Sequence, residues 1–376
     1  MMTKLAALGQ RIIIYGGGVG GAQLAKRLSG RAKVTLVDPH DYFEVPMAAP
    51  RNMVRPDFAQ QAIMPFAQVL PHVEHVRARL VELRPDGGSV RHPDGTQTTI
   101  SGDIVVLATG SGYVNDLVRA AQGSAAERRA FYAQYHQHLL AARNVVIVGG
   151  GPIGVEIAGE ISQNWPDKKL TIVEAGPRLL AGTSAAASAH AAKVLGARGV
   201  TIITGERVEP DPLHGADVLT IGGVARTTGG RALAYDLLVW CVGGRPNTEY
   251  LRPHLSHVVN ERGQVRVTPD LRVLGQQRMF ALGDITDLPE NKMAWFTNHH
   301  VDIAAANVAT VLAGERLPLK TYKPRTGNPM MAVTLGSNAG VTHLPAPIGI
   351  VRASWANRKI KAAHMLVPKY RRIFGA

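Results

Sequence analysis

The chain of 376 residues holds a single cysteine, Cys241, and no C-x-x-C pair. That absence excludes an intrachain disulfide framework, an all-cysteine zinc or iron-sulfur site, and any reaction that relays electrons through a dithiol. It is consistent with a reducing compartment, and a cytoplasmic location is the expectation. Negative charge is missing from one end: beyond Glu315 there is no Asp or Glu, while eleven Lys and Arg follow. Long apolar runs are scarce as well. The uncharged stretch 326–351 contains three prolines and four glycines, which reads as strands and turns and not as a membrane helix. The apolar run Arg11-Ile-Ile-Ile-Tyr15 is interrupted by Gly16-Gly17-Gly18 with no small-residue cleavage site behind it, so it reads as a strand and not as a signal peptide. The histidines are scattered, and no metal site is expected.

What is present is 45% hydrophobic and 19% charged, which excludes global disorder. Forty glycines without a Gly-X-Y period exclude collagen and predict glycine-rich turns. At about 150 residues per domain the length implies two or three domains. The net charge of +14 is uneven. Residues 1–315 carry 31 basic and 28 acidic side chains, so nearly all of the excess lies in the last 61 residues.

The first chemical motif is a strand, Arg11–Tyr15, running into Gly16-Gly-Gly18-Val-Gly-Gly21, an Ala/Leu-rich helical stretch, and a second strand ending at Asp38. In such a unit Gly16 allows the tight turn, Gly18 lets a pyrophosphate approach backbone N–H groups, and Gly21 lets helix and strand pack closely. Gly20 lies between them on the same turn. Asp38, 22 residues past Gly16, stands where a carboxylate accepts hydrogen bonds from a ribose. The arrangement returns 133 positions later: Asn144–Val148, Gly149-Gly-Gly151-Pro-Ile-Gly154, a helix to about Asn164, and a strand delivering Glu174. Two dinucleotides are expected. Glu174 predicts NADH over NADPH, because a carboxylate there binds the 2′- and 3′-hydroxyls and repels a 2′-phosphate; Arg178, four residues on, could soften that preference. Between the motifs, 73–100 reads as β-rich. Strands 103–107 and 236–242 lead into Ala108-Thr109-Gly110 and Gly243-Gly244, and a long helix spans about 294–313.

These motifs resemble the two-dinucleotide-binding-domain flavoproteins. Leu107-Ala-Thr-Gly-Ser111, Val148-Gly-Gly-Gly-Pro-Ile-Gly-Val-Glu156, Ala281-Leu-Gly-Asp284, Lys292-Met-Ala294, Ala304-Ala-Ala-Asn307 and Tyr322-Lys-Pro324 are most similar to the ferroptosis-suppressor and AIF-like NAD(P)H:quinone oxidoreductases, with type II NADH dehydrogenases next. The resemblance implies an α/β fold of two Rossmann-like domains, the second inserted in the first. An FAD-binding domain would comprise 1–112 and 244–315, an NAD(P)H-binding domain 113–243, and a basic C-terminal membrane or dimer region 316–376. It implies that FAD is held by Gly16, Gly18, Gly20, Gly21, Asp38, Arg51, the backbone at Arg79, Thr109, Gly110, Asp284, Lys292, Met293 and Ala294. NADH would be held by Gly149, Gly151, Gly154, Glu156, Glu174 and Gly243. Catalytic candidates are Glu156, pointing to where nicotinamide meets flavin, Lys292, adding charge near the flavin pyrimidine edge, and His300, matching a family histidine.

With thiol relay excluded, electrons must leave the flavin directly, and a quinone is the expected acceptor. A small iron-sulfur protein is the same-class alternative, and an AIF-like nucleic-acid-binding flavoprotein the alternative from another class. The basic end, mixed with Trp355, Ile360, Met365, Leu366, Val367, Ile373 and Phe374, reads as a tail for an anionic membrane surface, such as the inner face of the cell membrane; a dimerisation helix or nucleic-acid binding would also use such charge. No glycine follows Met1, so the lipidation site of some relatives is missing and attachment is expected to rely on that tail.

Overall fold

The computed structural model describes residues 9–113, 116–117, 120–209, 220–314, 318–326, 330–344 and 347–376. Strand β1 (Arg11–Tyr15) carries three fully buried isoleucines, Ile12 to Ile14, because it is the middle strand of a parallel sheet covered on both faces. It pairs with β2 (Lys33–Asp38) on one side and with the Ile104–Leu107 strand on the other. The Glu74–Arg77 and Met279–Ala281 strands complete the sheet at its two edges. Helix α1 (Val19–Leu28) crosses from β1 to β2, whereas the next parallel partner lies on the opposite side. The carboxyl end of β1 is therefore the topological switch point, where such sheets open a crevice.

A second sheet repeats the design with β3 (Asn144–Val148), helix α2 (Pro152–Asn164) and β4 (Lys169–Glu174). Its order is Thr201–Thr204, β4, β3, Ala232–Trp240, Thr220–Arg226, with only the last pair antiparallel. The fold is α/β, with both sheets built on Rossmann lines. The two chain crossings between the sheets run side by side, Ser111–Tyr113 paired antiparallel with Gly244–Pro246. Gly110 (φ +65°) and Gly243 (φ +39°) turn the backbone into this ribbon. A three-stranded antiparallel meander, Arg79–Arg84, Gly87–Arg91 and Gln97–Ser101, occupies the segment expected to be β-rich.

The C-terminal region differs from the expected tail. Strands Met331–Thr334, Gly340–His343 and Ile350–Val351 form a small antiparallel sheet, followed by a short helix, one turn of π-helix at Arg358–Ala362, and α3 (Val367–Phe374). Met365, Val367, Tyr370 and Phe374 are buried in the same core as Ile12, Ile14 and Leu24. The Phe374 ring lies 4.8 Å from that of Phe43, and Lys26 Nζ donates to the Phe374 carbonyl oxygen at 3.1 Å. Three of the seven apolar residues assigned to membrane contact, Met365, Val367 and Phe374, are thus interior, because α3 is amphipathic and the first sheet's helices offer it an apolar face. Substituting Phe374→Ala is expected to lower unfolding free energy by about 3–5 kcal/mol in urea titration, while Arg372→Ala, on the exposed side, changes it by no more than about 0.5 kcal/mol. A free tail would leave both unchanged.

Candidate dinucleotide cradles and active site

The β1–α1 turn is built by what glycine permits. Gly16 adopts φ +104° and its N–H donates to Val37 O at 2.8 Å, bringing the turn against β2. Gly17 N–H donates to Asp38 Oδ2 at 2.5 Å. Gly18 is the N-cap of α1, provides no side-chain cap, and an added Cβ there would meet nothing within 4 Å. The first-turn N–H groups are left without intrahelical partners beside open space, which is the cradle a pyrophosphate requires. The second turn repeats this atom for atom. Gly149 has φ +108° and donates to Val173 O at 2.8 Å, Gly150 N–H donates to Glu174 Oε2 at 2.6 Å, and Gly151 is an uncapped N-cap with open space at its Cβ position. The residues present therefore fit two dinucleotides. Gly20, Gly21 and Gly154 act differently from the cradle glycines: an added Cβ would strike Leu282 Cδ1 at 2.5 Å, Gly16 O at 1.8 Å and Gly149 O at 1.9 Å respectively. Gly21 and Gly154 let backbones approach, and Gly20 makes room for the Leu282 side chain.

The two acids are already organised. Glu174 accepts from Gly150 N and, through Oε1, from Gly176 N at 2.6 Å. Arg178 is directed to the carbonyls of Leu180, Ala181, Thr183 and Ser184, where it closes its own loop. Asp38 Oδ1 accepts from the His40 backbone N–H at 2.8 Å and pairs with His40 Nδ1 at 2.7 Å, while His40 Nε2 meets Ala120 O at 2.9 Å. Burial opposes charge on both partners, yet their mutual hydrogen bond and attraction prevail, holding Asp38 below the usual carboxylate range and His40 above the usual imidazole range. Ala78 N donates to Asp38 O at 3.1 Å, so Arg79 begins its strand beside this acid.

At the carboxyl end of the same sheet, Thr109 Oγ1 bonds Asn247 O and Tyr250 OH, and Asp284 accepts from Ser111 Oγ at 3.1 Å. Asp284 follows Gly283 (φ +79°) and precedes the long Ala294–Leu312 helix. Met293 is that helix's N-cap and, like the cradle glycines, gives it no side-chain cap, which leaves the Ala294 end of the helix rich in free donors.

Three residues expected at the cofactor have partners within the chain. His300 is fully buried: Nδ1 accepts from Gly283 N–H at 3.1 Å and Nε2–H donates to Glu290 Oε1 at 2.8 Å, so both ring nitrogens are engaged in fixing the Gly283–Asp284 turn. Glu290 Oε2 in turn accepts from Tyr322 OH at 2.6 Å. Lys292 Nζ donates to the carbonyls of Thr286 and Leu288 at 2.7 and 3.0 Å; burial holds its pKa below the usual lysine range, against Asp284, Glu290 and Asp287. Arg51, 3% exposed, is gripped by Glu160 of α2.

Glu156, on the first turns of α2, is buried. Its Oε1 receives Lys361 Nζ at 2.5 Å, Thr334 N at 2.8 Å and Thr334 Oγ1 at 3.2 Å. Among the described residues nothing donates to Oε2. Lys361 is one of the eleven cations of the basic end that its composition reads as a tail. The signal that could have found it is the pair Glu156 and Glu160 on an otherwise apolar helix, which requires buried cations. Cys241 is buried, and burial pushes its thiol up to about 12.

Two glycine cradles, each with its acid, define a dinucleotide-dependent oxidoreductase, and residues 10–310 match the family model described as pyridine nucleotide-disulphide oxidoreductase. The chain belongs to this family and is an FAD-dependent pyridine-nucleotide oxidoreductase. It is similar to apoptosis-inducing factor homolog B of Dictyostelium discoideum, 28% identical with 96% of each chain covered. It is also similar to ferroptosis suppressor protein 1 of Homo sapiens, 28% identical over 88% of this chain and 87% of that one. Among solved structures, NDH2 of Plasmodium falciparum in complex with NADH matches with a TM-score of 0.68 at 14% identity, covering 94% of this chain and 93% of that one.

The Asp38–His40 pair gives a pH signature. The imidazolium's share of stability is full below the ordinary 6.5 and fades as pH rises through His40's raised value; the carboxylate's share is present above 3.8 and fades as pH falls. His40→Asn is expected to lower stability by about 1–2 kcal/mol near pH 5, with a smaller difference from wild type near pH 9, read by thermal unfolding at both pH values.

Proposed function

We propose that this chain oxidises NADH and passes the electrons by way of FAD to a quinone, working at a membrane surface. The observation that carries the reading is the repeated cradle joined to a lone, buried, protonated Cys241: two dinucleotides are provided for, and no dithiol stands between them and an acceptor. Bound FAD would supply the two-electron relay that suits both a nicotinamide hydride and a quinone.

Gly16 and Gly18, with the N-terminus of α1, would hold the FAD pyrophosphate, Asp38 the ribose, and the backbone at Arg79 the adenine. Thr109, Gly110 and Asp284 would follow the ribityl chain. The unpaired N–H groups at Met293 and Ala294 would stabilise an atom that gains negative charge. Gly149, Gly151 and Gly243 would take NADH, with its ribose on Glu174. Glu156 would orient the nicotinamide carboxamide through Oε2, its other oxygen being fixed by Lys361 and Thr334. Support for NADH over NADPH is that Glu174 would face the 2′-phosphate while Arg178 is tied to four carbonyls.

The FAD-loaded protein, mixed anaerobically with NADH or NADPH and then with ubiquinone, menaquinone or ferredoxin, tests the reading. Faster flavin reduction by NADH, roughly tenfold or more in kcat/KM, and reoxidation by a quinone are expected; reoxidation by ferredoxin alone would reassign the acceptor.

No helix among the described residues is long and apolar enough to cross a membrane. Support for surface attachment comes from Trp355, 75% exposed, and Ile360, which share their segment with exposed Arg352, Arg358 and Lys359. In flotation with anionic liposomes the variant Trp355→Ser/Arg358→Glu/Lys359→Glu is expected to lose most binding with its Tm kept; flotation equal to wild type would reject this surface.

A further inference from the structure

Helix α2 buries nine consecutive residues, Gly154 to Ser162, and the charged ones among them are Glu156 and Glu160, one helical turn apart. Each is met by a cation from a distant part of the chain. Lys361 meets Glu156, and Arg51 meets Glu160 with Nε on Oε2 and Nη2 on Oε1, both at 2.7 Å. Arg51 does more than pair. Nη2 also donates to Ala362 O at 2.7 Å, and Nη1 lies 3.5 Å from Ala363 O. Ala362 and Ala363 are the two residues directly after Lys361, so one guanidinium grips α2 and the backbone that carries the lysine.

That backbone needs holding. Lys361 sits in a turn of π-helix, and the chain then passes through Met365 and Leu366 at φ +48° and +62°. Left-handed conformations at two successive side-chain-bearing residues are unfavourable and persist only where the surroundings over-determine them. We propose that Arg51 and Glu160 are positioning residues for the Glu156–Lys361 pair: their bidentate clasp fixes the 361–363 backbone against α2, so that Lys361 occupies Oε1 of Glu156 and leaves Oε2 for the nicotinamide. This rests on the reading that Glu156 serves the nicotinamide. A lysine at position 51 would offer a point charge and could not hold two carboxylate oxygens and a carbonyl in one plane.

The test compares E160Q, R51K, E156Q and E156Q/E160Q in the full chain. In FAD-loaded protein, E160Q and R51K are expected to slow flavin reduction at saturating NADH by about tenfold or more, with flavin content retained. E156Q/E160Q should be no slower than E156Q alone, because Glu160 acts through Glu156. In cofactor-free protein, hydrogen exchange should speed up at 358–366 in E160Q and R51K and stay unchanged in strand β3. Wild-type reduction rates in both E160Q and R51K, multiplying effects in the double variant, or exchange raised equally in β3 would each overturn the proposal. If E160Q does not fold, R51K, which keeps the charge, carries the same comparison against E156Q/R51K. A wild-type rate in E156Q would instead remove the role given to Glu156, and this proposal with it.

Discussion

An added Cβ at Gly21 would lie 1.8 Å from Gly16 O, and at Gly154 1.9 Å from Gly149 O. In both units helix and strand therefore touch backbone to backbone, and most of what distinguishes the molecule depends on that approach. It sets the helix N-terminus directly over the strand end, so that N–H groups without partners converge on one point. It brings the middle glycine of the turn onto the acid of the neighbouring strand, Gly17 to Asp38 and Gly150 to Glu174. Each acid is thereby fixed by the loop beside which it would bind a ribose. Arg178 and His40 show how the surroundings are then adjusted, one cation drawn into its own loop and the other bound to the acid itself.

The C-terminal region joins the two units instead of trailing from them. Its buried aromatic face packs on the first sheet's core, and its Lys361 to Ala363 segment reaches the second unit through Glu156, Glu160 and Arg51. Two carboxylates inside an apolar helix would be prohibitive alone; each becomes tolerable only with its cation and further hydrogen bonds in place. Burying them so makes the helix of one nucleotide unit dependent on residues from the other unit and from the chain's end.

What could be read in the sequence was local. Each glycine turn, helix and acid falls within about 25 residues, and each choice there is dictated by backbone sterics that a spacing pattern reports directly. Thr109 and the Asp284 turn were legible only through resemblance to a family, and the strand ends at Gly110 and Gly243 were legible without the ribbon that pairs the segments after them. His300, Lys292 and Arg51 were identified as chemistry-bearing residues, and their partners were not legible: Arg51 meets Glu160 across 109 positions, and Lys361 meets Glu156 across 205. Composition cannot distinguish a lysine destined for solvent from one destined for a buried carboxylate, since both look like charge in a basic stretch.

The same distinction changes the meaning of the net charge. Of the basic residues beyond Glu315, Lys361 turns inward, Lys369 lies over the Trp295 and Tyr370 rings with its pKa lowered by burial, and Arg371 reaches the Gln61 carbonyl. Those that stay in water around the short C-terminal helix, Arg352, Arg358 and Lys359, stand beside the exposed indole of Trp355. A charge excess that began as a property of the whole chain is thus divided between two tasks. Of its inward part, Lys361 neutralises the Glu156 carboxylate in the low-dielectric space between the units, where pairing is obligatory. Three of its outward cations, Arg352, Arg358 and Lys359, share one short segment with an exposed aromatic side chain, the composition that favours a water–lipid boundary.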